Sequence, residues 1–242
     1  MLRVEEATVH FGGVRALDDV SLAGEAGEVT GLIGPNGAGK TTLFNVITGL
    51  QKPARGRITI DGRDVTGTGP KQRARNGLGR TFQRLEIFGS LTVADNVLVA
   101  LENRGLRGRQ ARAESTRLLS RVGLEAVAGT QADVLPTGLA RLLELARALA
   151  CRPKLLLLDE PSSGLDSTES VRLGQLIADL AGEGLAVLLV EHDMEMVMKL
   201  CRRIHVLDFG RIIASGEPAQ IQADPAVQAA YLGAPIAAGS GA

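Results

Sequence analysis

Three separated stretches carry residue types that bind phosphate and move a proton to or from water. The first is Gly34-Pro35-Asn36-Gly37-Ala38-Gly39-Lys40-Thr41, which sets glycines, a lysine and a hydroxyl in the order of a phosphate-cradling loop. Its glycines let successive backbone N–H groups turn toward one anion, Lys40 adds a full positive charge, and a helix opening at the loop's end contributes about half a charge more. Thr41 can place its hydroxyl on a Mg²⁺ that bridges phosphate oxygens, with Thr42 beside it. The second stretch is Asp159-Glu160, directly after the apolar run 155–158. Asp159 suits the metal shell, and Glu160 suits the orientation or deprotonation of an attacking water. The third is His192, just after the apolar run 185–190, where its ring can sit beside the phosphate being transferred. Taken singly, these could be a glycine-rich turn, an exposed acidic turn and a helix-capping histidine. Together and in this order they imply the binding and hydrolysis of ATP with Mg²⁺.

Chemistry of this kind needs elements that bring the three stretches to one edge. Strands are predicted over residues 2–8, 29–33 and 57–61, with a helix over 39–48. From 91 to 150 the periodicity is helical, with segments at 93–101, 112–122 and 139–150. Alternation then returns: strand 155–158, helix 169–181, strand 185–190, helix 194–200 and strand 204–207. Short, almost wholly apolar strands between helices indicate an α/β fold, with a parallel sheet covered on both faces. Ligands of such sheets bind at the carboxyl ends of the strands, where Asp159-Glu160 stands. The end of the chain, 234–242, is Gly/Ala-rich and uncharged, the composition of a disordered tail. Arg104, Arg107, Arg109, Arg112 and Arg117 read as a solvated face. His10 and His205 lack the setting of His192 and read as structural.

Length and composition narrow the classes. With 242 residues the chain can bury one large domain with a sizeable insertion. Lys plus Arg and Asp plus Glu are 27 each, aromatics are 2% and Trp is absent, so neither a basic field nor stacking platforms for nucleic acid are present. Cys151 and Cys201 lack metal-like or disulfide-framework spacing and read as reduced thiols. Residues 1–10 lack the apolar stretch of a secretory signal. No apolar run approaches the roughly 18 residues needed to cross a bilayer, so insertion is not expected and membrane association would come through a partner.

With Gly79-Arg80-Thr81-Phe82-Gln83, Ser163-Gly164-Leu165-Asp166 and Val190-Glu191-His192-Asp193-Met194 in sequence order around the first two motifs, the chain resembles the ABC ATPase family from about residue 2 to 233. The resemblance implies a P-loop core with an N-terminal antiparallel β subdomain and a helical subdomain at about 91–150. It implies that Gln83 is the Q-loop residue that joins Mg²⁺ to a membrane partner, that Asp166 belongs to the D-loop, and that His192 is the switch histidine. Phe11 stands where the family carries an aromatic that stacks on adenine, with core packing as its rival reading. One departure concerns the signature segment, usually Leu-Ser-Gly-Gly-Gln. Here it reads Leu135-Pro136-Thr137-Gly138-Leu139, and Pro136 offers neither hydroxyl nor N–H. Gly138, backbone donors and a helix dipole remain to meet a γ-phosphate.

Within the family the similarity is to branched-chain amino acid importer ATPases, carried by 79–83, Leu143-Glu144-Leu145-Ala146-Arg147-Ala148-Leu149, 190–194 and the ending Ala229-Ala230-Tyr231-Leu232-Gly233. Lipopolysaccharide-export ATPases share several of these features. By this resemblance the chain works as a dimer, preferably with a different ATPase subunit because of Pro136 and Leu139, though two copies remain an alternative. The dimer would lie on polytopic permease subunits at the cytoplasmic face of the inner membrane. A soluble ABC ATPase of DNA repair or translation would carry a coiled-coil insertion or tandem cassettes, and neither is found.

Overall fold

The computed structural model describes residues 1–81 and 85–232, with the backbone alone at Leu232. Gln83 and the expected tail 234–242 lie outside the described residues. The chain opens with β1 (Leu2–Phe11) and β2 (Val14–Gly24), which pair antiparallel, followed by β3 (Val29–Ile33) and α1 (Lys40–Thr48). β4 (Arg55–Ile60) and the two-residue β5 (Arg63–Asp64) complete a four-stranded antiparallel sheet in the order β2-β1-β4-β5. β1 runs past residue 8, where the predicted strand stopped, and β2 was not foreseen. Asp18-Asp19 resembles a turn, but Asp19 is a left-handed residue (φ 59°) at an irregularity where the pairing slips from Ala7↔Val20 to Val9↔Leu17. A bulge of this kind breaks the period-2 pattern by which a strand is recognised. The strand expected at 57–61 stops at Ile60, because Asp61 turns left-handed at φ 51°.

Next come α2 (Pro70–Arg75), β6 (Leu78–Arg80), α3 (Val93–Asn103), α4 (Gly108–Arg121) and α5 (Thr137–Ala150). Helices α3, α4 and α5 bury Val93, Val97, Leu101, Leu118, Leu119, Leu143 and Ala146 against one another in the helical region foreseen from periodicity. Two starts differ from expectation: α4 begins four residues before 112, and α5 two before 139. Both extra turns are polar or glycine-containing, so hydrophobic periodicity is silent there.

The remainder is β7 (Leu155–Asp159), α6 (Ser167–Gly182), β8 (Ala186–Val190), α7 (Met194–Leu200), β9 (Arg203–Asp208), β10 (Arg211–Gly216), α8 (Pro218–Ala223) and α9 (Pro225–Leu232). A six-stranded sheet has the order β10-β9-β3-β8-β7-β6, parallel except for the β9–β10 edge. All residues of β3, β7 and β8 are buried, as strands covered on both faces require. This order makes β3, β8 and β7 neighbours, so the loops leaving their carboxyl ends share one rim.

Candidate nucleotide site

The loop 34–39 leaves β3 and turns directly into α1. Gly34 has φ 155°, and a Cβ there would lie 2.0 Å from the Leu207 carbonyl oxygen, so no side chain fits between the loop and β9. At the far end Gly39 caps α1 without a side-chain hydrogen bond, and the helix has no acidic residue in its first turn. Its amide end is thus unneutralised and aimed at the loop. Lys40 is 8% exposed and donates to the carbonyls of Gly34 (2.6 Å) and Pro35 (3.0 Å). Burial pulls its pKa below the usual lysine range, against the pull of Glu160 and Asp159. Asn36, Gly37 and Thr41 are exposed, Pro35 and Thr42 half-buried, and Ala38 buried, its carbonyl accepting from the Gly210 amide at 2.9 Å.

Asp159 closes β7 and is 5% exposed. Burial raises its pKa above the usual carboxylate range, opposed chiefly by Arg80, whose Nη2 lies 3.1 Å from Oδ2. Arg80 also donates to Asn45 Oδ1 of α1 (2.9 Å) and lies 5.5 Å from the Phe44 ring centroid. One guanidinium therefore ties the acid of β7 to the phosphate-loop helix. Sequence reasoning quoted Arg80 within a motif but gave it no role.

Glu160 takes φ 50°, a left-handed conformation uncommon for a residue with a side chain and concentrated at functional sites. Its amide donates to Val190 O at 2.8 Å. Its Oε1 lies 2.8 Å from Nε2 of His192, so the structure brings together the two residues chosen for catalysis. With Glu160 as a carboxylate, Nε2 is the donor. Lys40, Asp159, Glu160 and His192 thus gather at one rim from three adjacent strands.

The other expected residues are more widely placed. Phe11 ends β1 with 51% of its surface exposed, which sets aside its reading as a core residue. Gly138 is buried in the first turn of α5, whose amide end has neither a side-chain cap nor an acid. A Cβ there would lie 2.4 Å from Glu169 Oε1, so any side chain at this position would displace the Glu169 carboxylate from its place against the start of α5. Asp166 caps α6, accepting from the Glu169 amide at 2.8 Å while Glu169 Oε2 accepts from the Asp166 amide at 3.0 Å. The C-terminal ending also reaches the site. Burial pushes the Tyr231 phenol up to about 12, and a hydrogen bond with the Gly34 backbone opposes that rise. No local pattern in the sequence linked these two residues. His205 is structural as expected: it is buried, its ring nitrogens 2.8 Å from Ser215 Oγ and 3.2 Å from Ala23 O.

Comparison with known proteins decides the family. The sequence model described as "ABC transporter" matches residues 17–163. The chain belongs to the ABC transporter family. A second model, described as "Branched-chain amino acid ATP-binding cassette transporter", matches residues 211–237 of this cassette. The cassette is 42% identical over 249 aligned residues to the high-affinity branched-chain amino acid transport ATP-binding protein LivG of Salmonella typhimurium, covering 96% of this chain and 98% of that one. It is also 40% identical to the lipopolysaccharide export system ATP-binding protein LptB of Acidithiobacillus ferridurans, over 89% of each. Among solved structures, a crystal structure of the ADP conformation of an ATP-binding cassette of an ABC transporter superposes with a TM-score of 0.90 at 31% identity, covering 96% of this chain and 98% of that one. The cassette is accordingly a nucleotide-binding ATPase of transporter type. Among the described residues no helix is long and apolar enough to cross a membrane.

Proposed function

We propose that this cassette hydrolyses ATP to drive import of branched-chain or other amino acids through separate polytopic membrane subunits. The observation that carries the catalytic part is the 2.8 Å contact between Glu160 and His192 beside Lys40 and Asp159. The backbone amides of 36–39, the first turn of α1 and Lys40 bind the β- and γ-phosphates, and Phe11 stacks on the adenine. Glu160 accepts the proton of the attacking water, and His192 holds the Glu160 carboxylate and faces the γ-phosphate. The donor set also fits Mg²⁺. Thr41 and Asp159 offer hard oxygen donors, the chemistry Mg²⁺ takes beside phosphate oxygens and water. Thr41, Asp159 and Gln83 would hold it, and it would supply neutralisation of the charge developing on the phosphates.

Residues 1–233 act in this reading as one ATPase domain, with 91–150 as its helical subdomain. The exposure of Asn36, Gly37 and Thr41 on one side, and of Pro136 and Thr137 at the start of α5 on the other, suits a head-to-tail dimer in which Gly138 and Asp166 complete the partner's site. Pro136 in place of the usual serine favours a different ATPase subunit as that partner. The exposed groove lined by Leu50, Pro70, Phe88, Val99 and Ala100 offers a membrane subunit an apolar seat, which would hold the cassette at the cytoplasmic face of the inner membrane. Amino acid import is supported by the match over 211–237 and the near-complete overlap with LivG. Lipopolysaccharide export is the second reading, supported by the similarity to LptB.

Calorimetry on Lys40→Ala tests the binding site, with loss of measurable ATP binding expected. Purification of the native complex tests the rest. Co-isolation with polytopic amino acid permease subunits and a second ATPase is expected, whereas export-type membrane subunits would select the second reading and two copies of this chain would remove the heterodimer.

A further inference from the structure

We infer that Glu191 is a positioning residue that sets the Glu160–His192 pair, an inference that rests on the roles proposed above for those two residues. Glu191 follows β8 and is 4% exposed. Its Oε1 accepts from the Ser162 amide at 2.7 Å, and its Oε2 accepts from the His192 amide at 3.0 Å. One buried carboxylate therefore clasps both backbone segments that carry the reacting pair, two residues beyond Glu160 on one side and at His192 itself on the other.

A buried carboxylate is a costly choice for a fastening. It loses hydration, and the amide bonds from Ser162 and His192 offset that loss. Its value lies in what the clasp keeps in place. The loop after β7 is hooked to the end of β8 at two points, Glu160 N to Val190 O and Ser162 N to Glu191 Oε1, and Ser163 N closes back on Glu160 O at 3.1 Å. Within that frame Glu160 is held at φ 50°, a conformation that persists only when the surroundings over-determine it. Released from Glu191, the loop can relax toward ordinary φ and swing the Glu160 carboxylate from His192 Nε2. Lys40 and the loop 34–39 stand on β3 and α1 and do not depend on this clasp, so the chemical step should suffer while nucleotide binding stays.

Glu191→Gln keeps one accepting oxygen and turns an NH₂ toward a backbone N–H. Glu191→Asp keeps the charge but is one methylene short of spanning both amides. In purified full-length protein both variants should lose about 10- to 100-fold in kcat, as a ~1 Å misplacement of a reacting group does, with the Kd for MgATP within about twofold of wild type. Combined with Glu160→Gln, Glu191→Gln should subtract little further from the residual turnover of radiolabelled ATP, because residues acting through one group are non-additive. Wild-type kcat in both Glu191 variants, with Glu160→Gln reduced to its residual turnover, overturns the inference and leaves the site reading standing. Joint loss of kcat and ATP affinity, or a fully multiplicative double variant, also overturns it by showing a general loop defect. Undiminished turnover by Glu160→Gln would instead overturn the site reading, and this inference with it.

Discussion

Arg73 connects the fold to the site most directly, and its replacement by methionine has a calculable cost. The residue is 1% exposed in α2, and its guanidinium donates to Val46 O (2.5 Å) and Ile47 O (2.8 Å) in the last turn of α1, to Thr68 O (3.0 Å) and to Thr66 O (3.2 Å). Helix-end carbonyls have no intrahelical donor, so Arg73 caps the helix whose other end opens at the phosphate loop. Methionine keeps the stem's volume and removes every donor. Val46 O retains the Gly49 amide at 3.2 Å, which leaves the Ile47 carbonyl and the two loop carbonyls to find other donors. At about 1–3 kcal/mol per orphaned buried group, offset by returning a guanidinium to water on one side of the cycle, the net loss is about 3 kcal/mol. For a chain of this size each kcal/mol moves Tm by about 2–4 °C, so a fall of about 6–12 °C is expected by circular dichroism. Arg73→Lys should recover less than half of it, because one ammonium cannot reproduce the fork. A shift under about 2 °C, or full recovery by lysine, would refute the capping argument.

Gly34→Ala places a methyl 2.0 Å from the Leu207 carbonyl oxygen; ATP affinity by calorimetry should drop more than about tenfold, as the loop can admit the methyl only by moving off β9. Arg80→Met strips Asp159 of its counter-charge, at a stability cost of about 3–5 kcal/mol typical of a broken buried pair. Because burial already raises the Asp159 pKa and Arg80 opposes that rise, the variant's MgATP affinity should begin to fall at a higher pH than the wild type's, which affinity measured across pH 4–7.5 would check. His205 is titrated the other way: burial lowers its pKa from 6.5, so between that folded value and 6.5 the unfolded chain binds more protons. Stability contributed by neutral His205 is present above about pH 6.5 and is lost as pH falls through the folded value. A His205→Gln variant should therefore show a flatter fall of Tm from pH 7.5 to 5.5 than the wild type, and parallel curves would sink that account.

What the amino-acid sequence determined by itself was local chemistry: the run 34–41, the adjacent acids 159–160, the histidine after an apolar strand, and the strand–helix alternation that sends such loops to one rim. Each is legible because the residues assigned to one task are contiguous, and because the strands β3, β7 and β8 are buried on both faces. Reading β2 required long-range pairing, since its bulge at Asp19 is stable only with β1 alongside. The tertiary structure alone decided which distant groups meet: Arg80 with Asp159 across 79 residues, Glu191 with Ser162 across 29, and Arg73 with the end of α1 across 26 and 27. It also placed the Glu169 carboxylate of α6 against Gly138. The physical reason is the same in every case. A buried polar group must be satisfied by whatever donor or acceptor the fold brings to it, and in this cassette that partner comes from an adjacent strand or a packed helix rather than from the neighbouring residues in the chain.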